Sequence, residues 1–316
     1  MRAALCQRLR RFAGANVSSR EAILLVGGTG FIGRALAARL SAEGGEVHVL
    51  GRRPATGLPA GVVVHCGDQG DRDVLRPLLA RCSAVVHLAG ATVPADTVWQ
   101  PVAEVEASLL PALRFLDCAQ EFPGRRYVLL STGGALYGDA DFAREQSRLA
   151  PGSYHGAGKL ALESFFGVFG QRHPGRLSIL RPANVYGPGQ TLRTGFGVIR
   201  TLLERARNGG PLVVYGDGGA VRDYLYIDDM VAACVAALRG PAITCNIGSG
   251  EGVALRELIA IVERVTDKPL AVDYRPARAS DVGRIVLDVG LAKDRLGWAP
   301  CVSLEEGIGR TWRSLQ

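Results

Sequence analysis

The chain has 316 residues, of which 47% are apolar and 21% charged, a balance that suits a folded protein with a large core and excludes an intrinsically disordered one. No apolar run approaches the roughly 18 residues that span a bilayer, which argues against membrane insertion. Five of the seven net positive charges come from Arg2, Arg8, Arg10, Arg11 and Arg20 in an acid-free opening stretch, so the rest of the chain gives no electrostatic reason to bind nucleic acid.

Residues 1–20 lack the continuous apolar segment of a secretory signal and read as a basic N-terminal extension. From there, short runs rich in valine, isoleucine and leucine predict strands over Ala22–Val26, Val47–Leu50, Val62–His65, Ala84–Leu88, Tyr127–Ser131 and Leu177–Leu180. Amphipathic stretches at Phe31–Leu40, Asp71–Leu79 and Val105–Ala119 predict the helices between them. Continuous apolar strands alternating with helices imply a parallel sheet covered on both faces, hence an α/β doubly wound Rossmann fold. After Arg181 the pattern loosens. Helices are expected near Val198–Arg207, Asp228–Leu238, Leu255–Val265 and Leu304–Trp312, with a short strand at Leu212–Tyr215. This predicts a smaller, interleaved C-terminal substrate-binding lobe. The expected division gives residues 21–185 and about 224–246 to an NAD(P)-binding domain, and 186–223 and 247–316 to the lobe.

Gly27-Gly28-Thr29-Gly30-Phe31-Ile32-Gly33 follows the first strand and opens the first helix. Gly27 allows the tight turn, Gly30 lets the backbone approach a pyrophosphate, and Gly33 permits close helix–strand packing. The phosphates then meet the free N–H groups and positive dipole end of the helix. At the end of the second strand an acid would accept a hydrogen bond from the ribose 2′-hydroxyl of NAD, whereas arginine tolerates the 2′-phosphate of NADP. That strand ends in Gly51-Arg52-Arg53, which leans towards NADP, with NAD the alternative.

The spacing Gly27-x-x-Gly30-x-x-Gly33 resembles that of the extended short-chain dehydrogenase/reductases, and the likeness runs on from about residue 21 over nearly the whole chain. Gly67-Asp68-Gln69 resembles the family's adenine-contacting turn, and Val86-His87-Leu88-Ala89-Gly90 its loop under the cofactor. Arg181-Pro182-Ala183-Asn184-Val185-Tyr186-Gly187 is similar to the segment passing from nicotinamide to substrate, with Ser131 and Pro182 near the cofactor. Gly216-Asp217-Gly218, Arg222-Asp223-Tyr224, Asp228-Asp229 and the tail Arg278-Ala279-Ser280-Asp281 resemble the nucleotide-sugar branch of the NAD-dependent epimerase/dehydratase family. The resemblance implies a nucleoside-diphosphate sugar as substrate, held by Asn184, Arg222, Tyr224, Arg278 and Asp281. Arginine suits that task because its forked, always-charged donors match a diphosphate.

Members of the family pair a tyrosine and a lysine four residues apart on one helix, with a serine or threonine on a nearby strand end. Here Ser153-Tyr154-His155-Gly156-Ala157-Gly158-Lys159 places His155, not Tyr154, four residues before Lys159. Residues four apart differ by about 40° around a helix and residues five apart by about 140°. Three readings follow. A one-residue π-bulge at the glycines would return Tyr154 to the face of Lys159; His155 is itself the acid/base, its unperturbed imidazole being suited to neutral pH; or the site is inactive. The family's hydroxyl position falls on Gly133, which makes Thr132 the substitute. Gly133 and Gly134 also disfavour a dehydratase, and Ser108 stands where relatives often place an asparagine.

The resemblance thus implies a nucleotide-sugar oxidoreductase: an NDP-hexose 4-epimerase acting by transient C4 oxidation, a 4-keto-sugar reductase consuming NADPH, or a non-catalytic dinucleotide-binding protein. It further implies a homodimer formed through the helices near Val105–Ala119 and His155–Arg172. No cluster of histidine, cysteine and acid has metal-ligand spacing. Seven scattered cysteines without a C-x-x-C pair suggest a cytoplasmic chain without a disulfide framework.

Overall fold

Five consecutive residues that are all apolar, Ala22–Val26, leave no polar face to turn to water, so this strand (β1) sits at the centre of a sheet with both faces covered. A computed structural model describes residues 21–90, 100–193, 195–277 and 282–316; the predicted extension 1–20, Arg278 and Asp281 lie outside them. After β1 the chain runs through α1 (Phe31–Ala42), β2 (Glu46–Gly51), β3 (Val63–Cys66), α2 (Arg72–Arg81) and β4 (Ala84–His87). A longer helical stretch follows, α3 (Pro101–Glu104), a π-helical segment Val105–Leu109 and α4 (Leu110–Ala119), then β5 (Arg126–Leu130) and β6 (Ala140–Ala143). Next come α5 (Tyr154–Arg172), β7 (Leu177–Pro182), β8 (Asn184–Tyr186), α6 (Val198–Asn208), β9 (Leu212–Tyr215), β10 (Val221–Tyr226), α7 (Ile227–Arg239) and β11 (Thr244–Ile247). The chain closes with β12 (Gly252–Ala254), α8 (Leu255–Thr266), β13 (Val272–Arg275), β14 (Arg284–Leu287), α9 (Gly290–Leu296) and α10 (Leu304–Arg313).

The main sheet is parallel, in the order β11-β7-β5-β4-β1-β2-β3. Chain direction across the sheet reverses between β1 and β4, and in such folds ligands bind outside the carboxyl ends of the strands at this switch point. One core layer packs α2, α4 and α5 onto one face through Leu75, Phe115 and Phe166; the other packs α1 and α7 through Leu36 and Met230 and continues into the C-terminal elements. The second core cluster is one continuous body with the lobe, so the lobe is interleaved and not strung on a linker.

A five-stranded sheet, β12-β10-β14-β6 with β8 on β10, joins segments far apart in sequence, among them Ala140–Ala143 beside Arg284–Leu287. A second small sheet pairs β9 with β13. Cys66, Cys82, Cys118, Cys234 and Cys245 are free thiols, four of them buried. Cys301 is disulfide-bonded, a single bond where the sequence suggests a chain without a disulfide framework. Among the described residues no helix is long and apolar enough to cross a membrane.

Candidate active site

The turn after β1 is built around a backbone that a side chain would obstruct. Gly27 has φ +79°, and a Cβ there would lie 2.7 Å from the backbone of Ala89. This lets the β1 and β4 loops close on each other, with Leu88 donating its N–H to the Val26 carbonyl at 2.8 Å. No side chain caps α1 at Gly30, so its first-turn N–H groups face the cleft, a ready site for an anion.

That cleft has a volume of about 570 Å³. Gly27, Gly30, Phe31, Ile32 and Gly33 line one wall, and Leu88, Ala89 and Gly90 the opposite one. Arg52, Asp68 and Gln69 line the end near β2 and β3, whereas Arg53 stands outside the cleft and exposed. Asp68 accepts a hydrogen bond from the Gly70 N–H at 2.7 Å, which holds the turn after β3. Gln69 accepts one from His87 Nε2 at 2.7 Å. His87 is packed between Phe115 and Phe166, and burial pushes its pKa down to about 3, so the ring is neutral. It supports Gln69 from beneath and does not titrate near neutrality.

A second cavity of about 660 Å³ adjoins the first. Thr132, Asn184, Arg222 and Tyr224 line it. Asn184 Nδ2 donates to the Asp223 carbonyl at 3.0 Å, and Arg222 Nη2 donates to the Val282 carbonyl at 2.6 Å, which fixes both side chains along the lobe sheet. Asp223 itself is buried and anchors the loop after β11, accepting from the Ser249 N–H and hydroxyl at 2.8 and 2.7 Å. Burial pushes its carboxyl above the ordinary range, and these donors pull it back.

The two cavities share Ser131, Pro182 and His155 on their common wall. Ser131 Oγ is buried there without a hydrogen-bond partner among the described residues, a polar atom whose desolvation a bound ligand would offset. Gln190 and Phe196, from the loop after β8, also border both cavities.

Helix α5 settles the phase of the neighbouring residues. Ser153 caps it, its Oγ accepting from the Gly156 N–H at 3.1 Å, and the helix is α-helical from Tyr154 to Arg172. The π-bulge that would have returned Tyr154 to the face of Lys159 does not form; the cap starts the regular turn one residue before any bulge would act. Tyr154 is 40% exposed and lines neither cavity, while the His155 side chain is 12% exposed and lines both. Lys159, one turn on, lines the first cleft and donates to the Leu130 carbonyl at 3.1 Å. Burial lowers its pKa to about 8, against the opposing pull of Glu104 and Glu163.

The model of the NAD dependent epimerase/dehydratase family matches residues 23–248. The chain belongs to this family. A UDP-glucose 4-epimerase of Mycolicibacterium smegmatis is 32% identical over 91% of the chain and 96% of that protein. A dTDP-4-dehydro-6-deoxyglucose reductase of Escherichia coli is 29% identical over 73% of the chain and 74% of that protein. The crystal structure of a Thermus thermophilus UDP-glucose 4-epimerase in complex with NAD superposes with a TM-score of 0.87 at 33% identity, covering 93% of this chain and 98% of that one. A Thermotoga maritima UDP-glucose 4-epimerase structure with UDP-glucose has the same TM-score at 31% identity and the same coverage.

Within this epimerase/dehydratase framework, the departure at Gly133 has a steric cause. A Cβ there would lie 2.5 Å from Leu287 Cδ1 and 2.9 Å from the Arg181 carbonyl, so the position carries no hydroxyl because the β14 strand occupies its space. Ser131 supplies a hydroxyl at the junction, and Thr132 beside it lines the second cavity. Sequence reading passed over Gln190, Arg193 and Phe196, which line the first cleft from the lobe side, and Glu104 and Glu106 on the helical stretch before α4. For Gln190, Arg193 and Phe196 the local signal is the glycine-rich turn Gly187-Pro188-Gly189, which marks a loop without saying where it folds back.

Proposed function

We propose that the chain is an NDP-hexose 4-epimerase that oxidises the sugar transiently at C4 using NAD(P), with His155 as the acid/base. The observation that carries this reading is the junction of the two cavities at His155, Ser131 and Pro182. The glycine turn, the uncapped start of α1 and the unpartnered Ser131 Oγ fit a dinucleotide in the first cleft. When bound, its nicotinamide supplies a reversible hydride acceptor next to the second cavity. His155 takes the proton of the C4 hydroxyl and returns it, and Ser131 and Thr132 orient that hydroxyl. Lys159, cationic below about pH 8, holds cofactor ribose hydroxyls and favours loss of the sugar proton to the neighbouring base. Arg222 and Arg278 hold the diphosphate, with Asn184, Tyr224 and Asp281 in polar support. Gln190 and Phe196 close the junction to water.

This reading assigns residues 21–185 with 224–246 to cofactor binding and the remainder after 185 to the sugar nucleotide. It also includes a homodimer. Val102, Val105 and Leu110 before and within α4, and Phe165 and Val168 on α5, are large apolar residues left 40 to 65% exposed, and a second copy is the partner that would cover them. One observation favours the reductase alternative: Arg52 lines the cleft and no carboxylate ends β2, an arrangement that accepts NADPH as a consumed substrate.

The test is mass spectrometry of the nucleotide released on denaturing fresh protein, followed by incubation with UDP-galactose. Retained NAD or NADP and conversion to UDP-glucose are expected. An empty site that takes up NADPH, with no conversion of UDP-galactose, would favour the reductase. Uptake of neither cofactor would overturn both readings.

A further inference from the structure

Glu104 is a carboxylate where a carboxylate is costly. It is 3% exposed, at the end of α3, and faces α5. An ionised carboxyl in such a place needs charged or polar neighbours. Two cationic or potentially cationic groups of α5 supply them. His155 Nδ1 lies 4.0 Å from Glu104 Oε1, and Lys159 is close enough for Glu104 to raise its pKa against burial.

The surrounding backbone is shaped to that carboxylate. A Cβ at Gly158 would lie 2.9 Å from Glu104 Oε1 and 3.1 Å from its Cγ, so only glycine on that face of α5 leaves the carboxyl where it stands. The π-helical segment begins at the next residue, Val105, and ends at Leu109. Around it Glu104 and Ser108, four residues apart, are both buried while Glu106 lines the first cleft. Each feature is unremarkable singly; together they place one carboxyl against one edge of the His155 ring.

We infer that Glu104 is a positioning residue that fixes His155 in the Nδ1–H tautomer and so turns the bare Nε2 towards the junction of the two cavities. The inference rests on the reading of His155 as the acid/base. The nitrogens are on opposite edges of the ring, so the edge facing Glu104 cannot face the sugar as well. A carboxylate at Nδ1 also strengthens Nε2 as a base and stabilises the imidazolium formed when it takes a proton. Among the described residues, the charged groups that line a cavity with His155 include Lys159 on its own helix, Glu106 on the π-helical segment and Arg193 on the loop over the cleft in the first, and Arg222 in the second. Lys159, Arg193 and Arg222 oppose protonation of His155, and Glu106 favours it. Glu104, 4.0 Å from Nδ1, offsets the cations there.

The experiment is a ¹⁵N imidazole titration by NMR on the full chain with dinucleotide bound, the His155 signals being assigned among the five histidines by loss in His155→Gln. In the unmodified protein the neutral ring is expected as the Nδ1–H tautomer, and an Nε2–H tautomer would overturn the inference without need of any variant. Glu104→Gln should lower the proton affinity of His155 by about tenfold or more, as expected for removing a charge at this range. Gly158→Ala, which displaces the carboxyl and keeps its charge, should lower it in the same direction by less. An unchanged titration in Glu104→Gln would overturn the inference. Full turnover in His155→Gln would instead overturn the acid/base reading, while the titration would still score the effect of Glu104 on the ring.

Discussion

Lys159 shows how one buried cation links stability and function. Its pKa is lowered to about 8 from an ordinary value of 10.5. Between about pH 8 and 10.5 the unfolded chain therefore holds a proton that the folded chain has released, so this group's contribution to stability rises with pH across that window. Below pH 8 both forms are protonated and the burial penalty is present in full. We predict that the gap in Tm between the unmodified protein and Lys159→Met shifts in favour of the unmodified protein from pH 8 to pH 10, as read by thermal unfolding in parallel buffers. Taking the difference cancels the buried tyrosines, which titrate alike in both proteins. A pH-independent gap would show that Lys159 keeps its proton throughout. The sequence pattern singled out Lys159, and the structure places it on the first cleft, but the depressed pKa was not legible, because burial of a side chain is a property of the assembled cleft.

Helix α5 carries the argument at the scale of elements. The sequence places His155 and Lys159 in phase and leaves the bulge open; the Ser153 cap decides it, and the extra turn residue falls in the neighbouring π-helical segment instead. Further along α5, Glu163 meets Arg181 of β7 in a buried double hydrogen bond, Nη2 to Oε2 2.6 Å and Nε to Oε1 3.0 Å. Burial opposes the Arg181 charge, but the Glu163 carboxylate outweighs it and holds the guanidinium proton more firmly than usual. Arg181 Nη1 also donates to Tyr137, whose hydroxyl donates to Asn246 on β11, so the pair ties α5 to two strands beneath the site. Glu163→Ala leaves that cation buried and unpaired, and should cost about 3–5 kcal/mol in urea unfolding. A loss below about 1 kcal/mol would mean that the network relaxes around the gap. Arg181 was read from sequence as part of a substrate-side segment. Its side chain instead turns into the core, a direction that no motif spacing encodes.

The whole molecule divides into what local pattern determines and what only distant pairing determines. The strands β1, β2, β4, β5 and β7 stand within a residue or two of the apolar runs that predict them, since continuous burial leaves a continuous apolar sequence; β3 does so too, although it is a largely exposed edge strand. The lobe sheet was not legible: β6, β8, β12 and β14 are three or four residues long and find partners far along the chain, where no periodicity announces them. The exposed faces of α4 and α5 make a prediction at this scale. Phe165→Glu places a charge on a face proposed to meet a second copy, and should convert the dimer to a monomer in light scattering. A protein that is monomeric before the change would remove the dimer from this account.

The meeting of two cavities over His155 is the feature on which residue, helix and sheet converge, and two variants test it together. Conversion of UDP-galactose to UDP-glucose should survive in Tyr154→Phe within roughly threefold, as for an ordinary exposed position. It should fall by about 10²–10⁴ in His155→Gln, the usual contribution of a positioned acid/base. The opposite result, a large loss in Tyr154→Phe with His155→Gln near full activity, would contradict the account.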